Sequence, residues 1–305
     1  MRVVTSLAIF VLTFLFLISC KPASSSSSQN PTIKVIAVET FLGDVTQNIT
    51  GDQIKVENLI PVGLDPHAFE PTPQDVTRIA SSQVLIVNGA GFEEWLQKIL
   101  DNAGGKRLVI EASAGLTSRT PRQGEGVIAG NDPHFWLDPN NVIKYVENIR
   151  NGMIQADPEG KSTYTSNADA YIAKLKELDT WIQEQVKQVP PERRLLVTNH
   201  ESFGYFADRY GFKIIGTIVP SISTGASPSA QQLAHLIDQI KTAQVTAIFL
   251  ETGTNPQLAD QVARETGVKV VTELYSHSIT SADGKAPSYI DMMKYNTFMI
   301  VSALK

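Results

Sequence analysis

Five histidines occur in the 305 residues, and two of them sit in near-copies of one loop. Leu64-Asp65-Pro66-His67-Ala68-Phe69-Glu70-Pro71 and Asp132-Pro133-His134-Phe135-Trp136-Leu137-Asp138-Pro139 each set an imidazole among prolines, aromatics and carboxylates. Proline fixes φ and biases the residue before it away from the helix, so each Asp-Pro step reads as a stiff bend. A ring presented from such a bend suits a ligand that must not wander. Two more histidines follow at comparable intervals, His200 in Thr198-Asn199-His200-Glu201 and His277 in Tyr275-Ser276-His277-Ser278. Four converging imidazoles would make a tetrahedral nitrogen site for a divalent metal, closed and unsuited to catalysis.

Neighbouring residues have two readings each. Glu201 could ligate or orient His200, or be a solvated helix-start carboxylate. Asp65, Asp132 and Asp138 could accept the second ring N–H of a histidine, fixing its tautomer, or simply cap turns. Phe135 and Trp136 are expected to pack a lobe interface. The fifth histidine, His235, lies mid-helix without turn context and is expected to be structural or partly exposed. A cage of neutral histidines alone would leave the ion's two charges uncompensated. Its affinity should fall as pH drops through about 6.5, where ordinary imidazoles protonate.

The elements that must position these residues alternate. Strands are expected over 33–38, 54–60, 84–87 and 108–110. Helices fall over 41–49, 73–82, 92–101 and 140–155, and 112–131 reads as a long loop. From Asn167 to about Val189, apolar residues recur at helical spacing until Pro190-Pro191, which reads as one long helix joining two lobes. Strands at 195–198, 213–217, 247–250 and 268–272 then alternate with helices at 203–210, 228–243, 256–266 and 289–304. This pattern implies α/β architecture, two βαβ-type lobes each with a parallel sheet flanked by helices. Ligands in such sheets collect beyond the carboxyl ends of the strands. His67, His200 and His277 each follow an expected strand in that position.

Apolar content of 42%, charge content of 19% and a net charge of −5 describe a globular chain without the basic surface that nucleic acid requires. The single cysteine, Cys20, excludes an intramolecular disulfide. It ends Leu17-Ile18-Ser19-Cys20, after a basic start and an apolar run too short for a comfortable membrane span. The expected organisation is a signal peptide over 1–19, a flexible serine-rich tether over 20–32, an N-terminal lobe over 33–165, a linking helix over 166–190 and a C-terminal lobe over 191–305.

Leu17-Ile18-Ser19-Cys20 resembles the lipobox of bacterial lipoproteins, in which the cysteine is lipidated. The two Asp-Pro-His loops, Thr198-Asn199-His200-Glu201-Ser202-Phe203-Gly204-Tyr205-Phe206, Glu273-Leu274-Tyr275-Ser276-His277-Ser278 and Tyr289-Ile290-Asp291-Met292-Met293-Lys294-Tyr295-Asn296 together resemble the cluster A-I metal-binding lipoproteins of bacterial ABC importers, the ZnuA/TroA/PsaA type. The resemblance runs from about Ile33 to the C-terminus. It implies a monomeric, extracytoplasmic, membrane-anchored protein that binds Zn2+ or Mn2+ between two lobes and hands it to a permease.

Three departures from the family pattern matter. Manganese members carry a carboxylate where His200 stands, which favours zinc here. The fourth position is usually aspartate rather than His277. The His- and acid-rich loop of many zinc members is missing from 117–131. Rival readings are a zinc hydrolase and a surface adhesin. The hydrolase would need an open coordination position and a base, and His200-Glu201 lacks the second histidine of the helical zinc-protease motif.

Overall fold

The structure, a computed structural model, describes residues 33–120 and 131–305. The leader, Cys20 and the serine-rich stretch lie outside the described residues, as does part of the 112–131 loop.

Two four-stranded parallel sheets organise the described residues. The first joins β1 (Val35–Ala37), β2 (Val56–Asn58), β3 (Val84–Val87) and β4 (Leu108–Glu111) in the order β2-β1-β3-β4. The second joins β5 (Leu195–Thr198), β6 (Lys213–Thr217), β7 (Ala247–Glu251) and β8 (Lys269–Leu274) in the order β6-β5-β7-β8. Central strands such as Val84-Leu85-Ile86-Val87 and Ala247-Ile248-Phe249-Leu250 are apolar and buried throughout, because helices cover both faces of a parallel sheet. Those helices are α1 (Thr40–Thr50), α2 (Pro73–Ala80), α3 (Leu96–Ala103) and α4 (Pro139–Ala156) around the first sheet. Around the second run α6 (Gly204–Tyr210), α7 (Ala230–Ala243), α8 (Gln257–Thr266) and α9 (Tyr289–Leu304).

Each sheet reverses direction beside its first strand: β1 leads to β2 on one side and β3 on the other, and β5 leads likewise to β6 and β7. A crevice opens at the carboxyl ends of strands flanking such a reversal. The two lobes present these ends to the same place.

The linking helix, α5 (Lys161–Val186), has 26 residues. It begins earlier than its apolar periodicity suggests, because the Pro158–Gly160 turn launches it and the buried Tyr164 packs in its first turns. Its buried stripe continues through Ala168, Tyr171, Leu175, Leu178, Ile182 and Val186. Arg209 of α6 grips Asp179 on the helix with two hydrogen bonds of 3.0 and 2.6 Å, and the Tyr210 hydroxyl adds a third at 3.1 Å.

One apolar core runs through both lobes. It contains Val35 and Ile86 of the first sheet, Leu196 and Phe249 of the second, and Phe41, Trp136, Leu175 and Met292 between them. Trp136 is fully buried, stacks on Phe41 at 4.6 Å and donates its indole N–H to the Ser276 carbonyl across the interface. Phe135 is buried beside it.

Candidate metal centre

Both Asp-Pro-His loops are built alike. Asp65 Oδ1 accepts the backbone N–H of His67 at 2.9 Å, and Asp132 Oδ1 accepts that of His134 at 3.0 Å. The carboxylate thereby closes a tight turn that a following proline has already stiffened. In the second lobe, His200 lies two residues past the end of β5 and His277 three residues past the end of β8. All four rings meet between the lobes, with their candidate donor atoms within 4.8 Å of one another. Nε2 of His134 is 3.4 Å from Nε2 of His67 and 3.3 Å from Nε2 of His200. A tetrahedral ion with nitrogen ligands at about 2.0–2.1 Å separates them by about 3.3–3.4 Å. Among the described residues His277 Nε2 is buried without a hydrogen-bond partner, as a donor aimed at a cation would be.

The other ring nitrogens face fixed partners. Asp132 Oδ1 lies 3.0 Å from His134 Nδ1, so it orients the ring as well as the turn. Glu251, the last residue of β7, serves the other lobe: Oε1 lies 2.7 Å from His200 Nδ1 and Oε2 lies 3.7 Å from His277 Nδ1. The 2.7 Å approach is off the N–H direction, a charge contact more than an aligned hydrogen bond. Ser202 and Ser276 hydroxyls donate to the two oxygens of Glu251 at 3.2 and 2.6 Å. Ser276 Oγ also lies 3.0 Å from His277 Nδ1. Phe92 stands edge-on to His67 at 4.8 Å.

Protonation follows from burial and these partners. Burial, then repulsion by neighbouring rings, holds His67 down to about 2 and pulls His134 and His277 well below the ordinary range. All three are neutral and available as donors. His200 is opposite: burial disfavours its charged form, but the charge and contact of Glu251 outweigh that and raise its pKa above 6.5. Glu251 stays ionised despite burial, because His200 holds its carboxylate below the ordinary value. The uncompensated cage expected from the histidines alone is therefore corrected: one buried negative charge touches two of the rings.

Glu251 left no spacing signature; its only signal is an acid closing a wholly apolar strand, where α/β ligands gather. Glu201 is outside the cluster. It faces a separate cavity of about 300 Å³ that also borders Arg119, Thr217, Gln232 and His235. The turn after β5 sends successive side chains to opposite sides, so the acid adjacent in sequence is not the one adjacent in space. Asp65 and Asp138 turn out to cap turns, Asp138 by accepting the N–H of Asn140 at 2.9 Å. His235 is exposed on α7.

A family described as zinc-uptake complex component A, periplasmic, matches residues 35–303. The chain belongs to this family. It is an extracytoplasmic metal-binding component of an ABC importer, whose partner is the importer's membrane assembly. The manganese-binding lipoprotein MntA of Halalkalibacterium halodurans is 34% identical over 281 residues, covering 92% of this chain and 91% of that protein. The iron-binding protein YfeA of Yersinia pestis is 34% identical over 260 residues, 85% of this chain and 82% of that protein. The solved periplasmic zinc binding protein TroA of Treponema pallidum superposes with a TM-score of 0.82 at 26% identity, covering 90% of this chain and 99% of that one.

Proposed function

We propose that this importer component carries zinc, held by His67, His134, His200 and His277. The observation carrying this reading is the donor set among the described residues: four imidazole nitrogens within 4.8 Å and no carboxylate with them. Imidazole suits zinc, whereas manganese prefers carboxylate and water oxygen. Glu251 lowers the cost of bringing a dication into a buried site without taking a coordination position. With four protein donors no place is left for an activated water, which argues for carriage over hydrolysis.

A second reading, a manganese receptor, has its own support. MntA, 34% identical, is named for manganese, and YfeA, equally similar, for iron. Competition between zinc and manganese on the purified protein, read by metal analysis, separates the two. Zinc retained against a hundredfold manganese excess supports the first; displacement supports the second. The surface-adhesin reading of the same scaffold is separated by growth under zinc limitation after deletion of the gene.

In the same reading, residues 1–19 are a leader, Cys20 is lipidated and 20–32 tether a monomeric body to the membrane beside the permease. Mass spectrometry of the membrane-extracted protein tests it: a diacylglyceryl mass on Cys20 supports the anchor, and an unmodified cysteine contradicts it.

A further inference from the structure

The shared apolar core makes wide lobe opening expensive. Rotating the lobes apart would expose the surface around Trp136, Phe41 and Phe249. It would also break bonds that rivet the lobes together: Trp136 to the Ser276 carbonyl at 2.7 Å, Tyr289 to the Trp136 carbonyl at 2.6 Å and Tyr205 to the Asp132 carbonyl at 2.8 Å. A carrier must nevertheless let its ion in and out, so some smaller piece of the wall has to move.

The segment 61–70 is built to be that piece. Pro61, Gly63, Ala68 and Glu70 are exposed, and Val62 and Leu64 each leave half their surface in solvent. Pro66 apart, side-chain burial therefore anchors the segment poorly, the condition for low local stability. It walls a cleft of about 830 Å³ that reaches His277. It also carries His67, which is partly buried where the other three rings are buried. His134, His200 and His277 each have a polar partner at Nδ1, whereas His67 is steadied by Phe92 and by the turn that Asp65 closes.

Across the cleft, Thr224 stands in the loop between β6 and α7. Its hydroxyl donates to Asp65 Oδ2, while Oδ1 of the same carboxylate accepts the His67 backbone N–H. One carboxylate thus joins the turn that presents His67 to the opposite lobe. A second tie, Gly63 N–H to Ser278 Oγ at 2.9 Å, holds the segment near its start.

Resting on the ligand set proposed above, we infer that Thr224 is a positioning residue for His67. The 61–70 segment is a strap whose release, rather than lobe separation, opens the site. Hydroxyl-to-carboxylate hydrogen bonds are the strong kind, so losing this one should speed release by about tenfold.

The test compares zinc off-rates, measured by transfer to a fluorescent chelator, in wild type, Thr224→Val, Thr224→Ser and His134→Ala. A faster off-rate in Thr224→Val, with the apo protein still folded and the off-rate restored by Thr224→Ser, would support the latch. An off-rate within about twofold of wild type in Thr224→Val overturns it, since a bond of this kind is worth more. So does a Thr224→Ser protein as defective as Thr224→Val, which would assign Thr224 a packing role. If wild type fails to bind zinc, or His134→Ala binds as tightly as wild type, the ligand set itself is wrong. Binding lost in His134→Ala alongside an unaffected Thr224→Val would sink only the strap.

Discussion

The two lobes bury carboxyl groups equally well and treat them in opposite ways. In the first, burial raises Asp132 and Glu93 to about 7 and Glu39 well above the ordinary range. Glu93 is partly compensated by the N–H groups of Asn88 and Gly89, yet neutral protonation still competes. In the second, Glu251 is just as buried and stays ionised. The difference is a proton acceptor at contact distance: His200 takes the proton and becomes the counter-ion. His134, 3.0 Å from Asp132, is itself held neutral by burial and by the His200 charge. One half of the site therefore supplies shape, and the other supplies charge. Desolvation favours neutrality at all four of these carboxyl groups, and only the charge pair with His200 reverses it.

The largest effect that would break this contrast is at Glu251. Glu251→Gln keeps the shape and removes the charge, and zinc affinity should drop roughly 10–100-fold, the usual cost of losing an outer partner of a metal ligand. Asp132→Asn should cost less, because Asp132 orients His134 mainly through geometry. Chelator competition on both variants measures it, and an equal or reversed order would remove the distinction between the lobes.

Proton release sharpens the same point. In the empty protein the raised pKa of His200 means it carries a proton below and somewhat above 6.5, while the other three rings do not. A metal must expel that one proton, so affinity falls as pH falls, beginning above the ordinary histidine value. Calorimetry in buffers of different ionisation enthalpy should find about one proton released per zinc near pH 6, and about none in Glu251→Gln. Release of several protons that persists in Asp132→Asn would contradict the neutral assignment of the other three rings.

A smaller effect lies behind the first half-site. Glu39 is 1% exposed and its folded pKa is raised, so its contribution to stability is intact below 4.5 and lost as pH rises toward the folded value. Glu39→Gln should therefore raise the melting temperature at pH 8 by about 2–4 °C and change it little at pH 4. A variant melting lower than wild type at pH 8 would mean that Glu39 is ionised in the folded lobe.

Where the sequence carried long periodic signals, its reading matched the fold closely. α9 (Tyr289–Leu304), β5 and β6 have the expected bounds, since each is a run of one period closed by a clear stop. α3 starts at Leu96, not Phe92, because Glu93 is drawn back to accept the N–H groups of Asn88 and Gly89. That tertiary demand has no local pattern. The four histidines were legible because rare residues in repeated Asp-Pro contexts stand out, and they do converge. Glu251 was not, since a lone acid at a strand end has no distinguishing spacing, and Glu201 drew attention only by adjacency. The expected pH threshold of about 6.5 also needed correction, because three rings are shifted down and one up by neighbours that no linear reading pairs.

The most direct test is the coordination shell itself, read by X-ray absorption on the zinc-loaded protein. Four imidazole nitrogens at about 2.0–2.1 Å are expected, with the scattering pattern of four rings. A shell containing carboxylate or water oxygen, or one unchanged when His200 is replaced by alanine, would contradict a single ion held by histidines from both lobes.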